Sequence, residues 1–115
     1  MKITEIKNQI ETILDNNKAK NIVSIDLKKK SYIADYMIIA SGTSSRHLQS
    51  LSENLVSELK KIGVINCRIE GRESNDWKLV DAIDIIIHIF QPEKREFYDL
   101  EKMWSEPTPK EKILI

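Results

Sequence analysis

Residues 76–90 read DWKLVDAIDIIIHIF, and the way this stretch folds decides the architecture. Two runs rich in strand-forming residues, WKLVD and DIIIHIF, meet at Ala82 and Ile83. If they pair antiparallel about that point, through a two- or a four-residue loop, Asp81 lies opposite Asp84, Leu79 opposite Ile86 and Trp77 opposite His88. All six then share one face. Val80, Ile85, Ile87 and Ile89 fall on the other, which is aliphatic except for Asp76 and Lys78 at the strand start and is therefore the core face. The mixed face, extended by Phe90, holds an aromatic, an imidazole, two aliphatics and two carboxylates. Like charges opposite each other are unfavourable unless a cation sits between them or both reach water, so this face invites a basic, partly apolar partner. The competing assignment is that a C-terminal stripe of Phe97, Leu100 and Trp104 covers it as a second core layer.

Working outward, VINCRIEG alternates Ile65, Cys67 and Ile69 against Asn66, Arg68 and Glu70 and predicts a further strand. Upstream of it, Leu48, Leu51, Leu55, Val56, Leu59 and Ile62 recur at helical spacing from Ser45 to Ile62, with Thr43 or Ser44 as N-cap and Gly63 as the stop. DYMIIAS is apolar from Tyr36 to Ala40 without alternation, as expected of a central strand covered on both sides. Val23, Ile25 and Leu27 alternate with polar residues and predict an edge strand. Ile3, Ile6, Ile10, Ile13 and Leu14 form one stripe of an N-terminal helix ended by Asn16 and Asn17. Downstream, Pro92 opens a last helix striped by Phe97, Leu100, Met103 and Trp104. Residues 106–115, with two prolines and no period, form a loose tail.

The resulting order, helix, strand, strand, helix, strand, strand, strand, helix, predicts one small α/β (α+β) domain at 1–105 with a mixed five-stranded sheet flanked by helices. A chain of 115 residues suits a single domain. Lysine plus arginine and aspartate plus glutamate number 18 each, so no net field draws the molecule to nucleic acid or an anionic membrane, and a charged partner must meet a local patch. The N-terminus lacks the apolar centre of a signal peptide, and no apolar run reaches the roughly 20 residues of a membrane span. A cytoplasmic protein with no membrane association is the expectation.

Chemistry is sparse. ASGTSSRH places Gly42, Thr43, Ser44 and Arg46 at a strand-to-helix turn, where backbone N–H groups can meet a small anion. The spacing matches neither GxxxxGK[ST] nor GxGxxG, so a turn capped by its own hydroxyls is the plainer assignment. A nucleotidyltransferase-like metal site needs paired acids on one strand face; the strand after the helix offers Glu70 alone, and Asp81 and Asp84 flank a turn. Cys67 alternates with isoleucines as a small core residue, and His47 and His88 lack metal-ligand spacing. No metal, cofactor or catalytic residue is expected. Lys28, Lys29 and Lys30 form a solvated turn that allows at most weak phosphate contact.

Ala34-Asp35-Tyr36, Ser41-Gly42-Thr43-Ser44, Glu70-Gly71, Asp76-Trp77, Asp81 with Asp84, His88-Ile89-Phe90 and Tyr98-Asp99-Leu100-Glu101 with Trp104 together resemble the ribosomal silencing factor family, RsfS or Iojap-like. The resemblance runs from about Ile3 to Ser105. It implies a nucleotidyltransferase-like fold without the catalytic acids and a non-enzymatic repressor of translation. Such a protein binds the large ribosomal subunit through its fourteenth ribosomal protein, blocks joining of the small subunit when nutrients are scarce, and is a homodimer when free. Peripheral contact with ribosomal RNA fits the same setting. Carried onto the mixed face, the family role makes Trp77, Leu79, Ile86 and His88 contact area and sets Asp81 and Asp84 against basic groups of that partner. An enzyme that cradles a nucleotide at Gly42–His47, or an assembly factor for the large subunit that does not silence, are the alternatives. The family commonly has glycine where this chain has Ile83, and a β-branched residue disfavours positive φ, so the turn is expected to be rebuilt or widened.

Overall fold

The computed structural model describes residues 2–29, 34–99 and 102. Its elements follow the predicted order: α1 (Ile3–Asn16), β1 (Lys20–Asp26), β2 (Tyr36–Ser41), α2 (Ser45–Lys61), β3 (Arg68–Glu70), β4 (Trp77–Asp81), β5 (Ile85–Phe90) and α3 (Pro92–Tyr98). One mixed sheet of five strands runs β1-β2-β5-β4-β3. β2 and β5 are parallel, and the other neighbouring pairs are antiparallel. β2 and β5 are thus the adjacent central strands, and every residue in both is buried. Burial on two faces is what removes the alternation from their sequences.

α1 and α2 cover one face. Ile10 and Leu14 of α1 and Leu48, Leu51, Leu55 and Leu59 of α2 pack on Ile38, Val80, Ile85, Ile87 and Ile89. The helix ends are set locally. Ser44 Oγ accepts the His47 N–H at 3.1 Å, which settles the N-cap of α2. At its other end Gly63, at φ 95°, lets Val64 N reach Leu59 O and Gly63 N reach Lys60 O, a Schellman stop.

Two elements differ from the sequence expectation. β3 begins at Arg68 rather than near Ile65, and Ile65 is 67% exposed, because its alternation continues into a segment without a ladder partner. α3 ends at Tyr98, where Asp99 adopts a left-handed φ of 48° and closes it by donating to Arg95 O. The predicted continuation of its stripe to Leu100, Met103 and Trp104, the Phe97 side chain and the tail at 106–115 lie outside the described residues, as does Lys30. Among the described residues no helix is long and apolar enough to cross a membrane.

Candidate functional site

The second face of the sheet carries a separate apolar cluster: Ile25, Leu27, Ala34, Met37, Ile39, Ile86 and Phe90, with Val23, Trp77 and Leu79 packed against it. Rows cross all five strands. Ile25, Met37, Ile86, Asp81 and Arg68 form one, and Val23, Ile39, His88, Leu79 and Glu70 the next. Each row passes from buried residues on the central strands, through half-buried Asp81 or Leu79 on β4, to exposed Arg68 or Glu70 at the β3 edge.

The hairpin register is two residues away from the one expected from sequence. Trp77 pairs with Phe90, Leu79 with His88 and Asp81 with Ile86, so the turn centres on Ile83 and Asp84 rather than on Ala82 and Ile83. A shift of two preserves the alternation, and the strand residues Trp77, Leu79, Asp81, Ile86 and His88 therefore keep the common face. What the shift removes is the opposition of two carboxylates. Asp81 now stands across from Ile86 on one side and Arg68 on the other, while Asp84 sits exposed in the turn.

The turn is rebuilt around an unfavourable residue. Ile83 has φ 72°, Asp84 N donates to Ala82 O at 2.9 Å across it, and Asp81 Oδ1 accepts the Ile83 N–H at 2.8 Å. A three-residue hydrogen-bonded turn at positive φ is rare and strained. The Asp81 side chain helps to hold it. The Asp84 carbonyl also accepts from Asp35 N and Tyr36 N, which fastens the turn to the start of β2. Ile83, 56% exposed, and Ile65 flank an open cleft of ≈ 680 Å³ whose lining includes Arg68, Asp81 and Ile86. Cys67 also lines it, and burial, then the Asp81 charge, pushes its thiol pKa up, away from thiolate chemistry at neutral pH.

Within the mixed face the structure separates the six residues by depth. Ile86 and His88 are buried, Trp77, Leu79 and Asp81 are half-buried, and Asp84 is exposed. His88 lies parallel to the Phe90 ring, with centroids 5.8 Å apart, and its Nδ1 accepts the Trp77 indole N–H at 3.3 Å. That bond leaves the proton on Nε2, which is buried and has no hydrogen-bond partner among the described residues. Burial pushes the His88 pKa down to about 4, so the ring is neutral at ordinary pH.

Gly42, Thr43, Ser44 and Arg46 do come together at the β2–α2 turn, but the turn uses its own donors. Gly42 N donates to Phe90 O and Thr43 N to His47 Nδ1, while His47 Nε2 donates to Asn17 O at 2.9 Å and so ties α2 to the end of α1. A Cβ at Gly42 would stand 2.6 Å from Leu48 Cδ2. A side chain at this position would therefore make the buried Leu48 shift.

Three residues were given no structural role from sequence, although Gly71 belongs to the Glu70-Gly71 motif. Lys78, 4% exposed on the helix-covered face, donates to the carbonyls of Gly71, Arg72 and Ser74 at 2.9, 2.6 and 2.8 Å. Gly71, at φ 74°, lies under the Trp77 ring. Arg95 of α3 is buried and donates to Ser41 Oγ at 2.8 Å on the mixed face. The lone lysine in an aliphatic alternation was the only visible signal for the first.

A sequence model of the family described as "Ribosomal silencing factor during starvation" matches residues 1–113. Over 92 residues, 80% of this chain, the chain is 50% identical to "Ribosomal silencing factor RsfS" of Zymomonas mobilis, covering 69% of that protein, and 45% identical to the protein of the same name from Haemophilus influenzae, covering 90% of it. It is 37% identical over 100 residues to mouse "Mitochondrial assembly of ribosomal large subunit protein 1", spanning 42% of that longer chain. A crystal structure of a Chromobacterium violaceum protein, 35% identical, superposes with a TM-score of 0.88 over 95% of this chain and 91% of its own. A Bacillus halodurans structure, 29% identical, does so at 0.78 over 88% and 94%. Fold, topology and sequence agree, and the chain belongs to the ribosomal silencing factor family.

Proposed function

We propose that this protein binds the large ribosomal subunit through the subunit's fourteenth ribosomal protein, using the mixed face of β4 and β5, and represses translation by excluding the small subunit. The observation that carries the reading is the half-buried row of Trp77, Leu79 and Asp81, set beside exposed Asp84 on the sheet face opposite α1 and α2. A half-buried tryptophan whose N–H is already held by His88 supplies large, fixed apolar area, as an interface anchor does. Asp81 and Asp84 at its margin suit a basic ribosomal protein and speed encounter more than they deepen affinity. Ile86 and His88 form the floor on which the anchor rests. The protein acts in the cytoplasm as a regulator rather than an enzyme, is a homodimer when free, and makes at most a peripheral phosphate contact through the exposed Lys28 and Lys29.

Sedimentation of the protein with separated ribosomal subunits tests this. Migration with the large subunit, together with a fall in joined ribosomes when it is added before the small one, is the expected result; migration with the small subunit or with neither contradicts it. A second reading is favoured by the mouse relative, whose name assigns it to assembly of the mitochondrial large subunit. On that reading a deletion strain accumulates large-subunit precursors during growth in rich medium, whereas on the silencing reading the strain assembles large subunits normally and differs only in failing to lower translation on starvation.

A further inference from the structure

Lys78 sits on the wrong side of the sheet to touch a partner bound at Trp77, yet it governs the ground on which Trp77 stands. Its side chain points to the helix-covered face, where the small space beside it is lined by Gln49, Ser52 and Glu53 of α2. There its ammonium, which has three donors, meets three converging carbonyls of the β3–β4 connection, those of Gly71, Arg72 and Ser74. The rest of that connection is held from the other end of the hairpin. Gln91 Nε2 donates to Asn75 O and Gln91 N to Asp76 O, so five of the six carbonyls from Gly71 to Asp76 accept a hydrogen bond. Ser74 N closes a turn on Gly71 O, and Ser74 Oγ accepts the N–H groups of Asp76 and Trp77.

The turn held in this way presents Gly71 to the indole. A Cβ there would stand 2.7 Å from Cε3 and 2.8 Å from Cζ3 of Trp77, so the ring lies directly on the glycine backbone, with its N–H on His88 beyond. We propose that Lys78 is a positioning residue for Trp77: by holding the Gly71–Ser74 turn from the far face of the sheet, it fixes the indole in its binding orientation before the partner arrives. Preorganisation of an anchor raises affinity by sparing the ordering cost at binding. The inference rests on the reading of Trp77 as a contact with the large subunit.

The test combines the indole N–H resonance of Trp77, identified by its loss in Trp77→Ala, with affinity for isolated large subunits. Lys78→Met keeps the buried stem and removes the donors; it is expected to shift the resonance, speed its exchange with water at least tenfold and weaken subunit binding about tenfold. Gly71→Ala, whose Cβ would meet both the Trp77 ring and its backbone O at a positive φ, should shift the same resonance while keeping the Lys78 donors. If Lys78→Met does not fold, Lys78→Arg carries the test, since a planar guanidinium does not direct three converging bonds and the resonance should move partway. A wild-type resonance and wild-type exchange in folded Lys78→Met, or in Lys78→Arg where Met fails, overturns the proposal. A shifted resonance with full subunit affinity in both Lys78→Met and Trp77→Ala supports the positioning and overturns the contact reading instead.

Discussion

The indole N–H of Trp77 donates to Nδ1 of His88 at 3.3 Å, diagonally across the β4–β5 ladder, and thereby fixes the tautomer of a buried imidazole. The pair joins the half-exposed anchor of the mixed face to its buried floor. It also makes the fold sensitive to acid.

Burial lowers the His88 pKa from 6.5 to about 4, so the unfolded chain binds this proton more readily than the folded one. The stabilisation is therefore complete above pH 6.5 and is lost as pH falls towards 4, a contribution of about 3 kcal/mol at most. Urea unfolding at pH 7 and at pH 4.5 checks this: wild type should lose more stability between the two than His88→Gln does. Equal losses would place the proton elsewhere.

Ile83 holds φ 72° although it is β-branched, at a strain of order 1–2 kcal/mol. With its side chain 56% exposed, little packing is lost on truncation. Ile83→Gly should then stabilise the protein by about 1 kcal/mol, the relief of strain outweighing the added freedom of the unfolded chain. A higher urea midpoint at unchanged slope is the expected observation, and a lower one counts against strain at this turn.

Gly42→Ala tests whether the β2–α2 turn is built for packing. Its Cβ would collide with Leu48 Cδ2 at 2.6 Å, and Leu48 is fully buried in the main core. A loss of roughly 1–3 kcal/mol in unfolding free energy is expected. A neutral outcome would mean that Leu48 has room to move.

The sequence displays this fold well where burial writes a period. The order of all eight elements, the central position of the run at Tyr36 and the core-facing set Val80, Ile85, Ile87 and Ile89 follow from the sequence pattern. Register does not follow, because alternation is unchanged by a shift of two, and the opposition of Asp81 to Asp84 was lost for that reason. Ile65 kept strand-like alternation without a neighbouring strand to pair with, a tertiary fact that no local pattern encodes. The role of Lys78 was hidden similarly, since a buried ammonium is satisfied by carbonyls that carry no side-chain signature.

The central claim is that the mixed face, anchored by Trp77, engages the large subunit. It is tested most directly by the affinity of wild type, Trp77→Ala and Asp84→Lys for purified large subunits at low and high salt, each variant first shown to be folded. Trp77→Ala should weaken binding by about 2 kcal/mol or more, roughly thirtyfold, at both salt concentrations. Asp84→Lys should slow association at low salt, with the difference shrinking as salt is raised. Wild-type affinity in both folded variants would contradict the account.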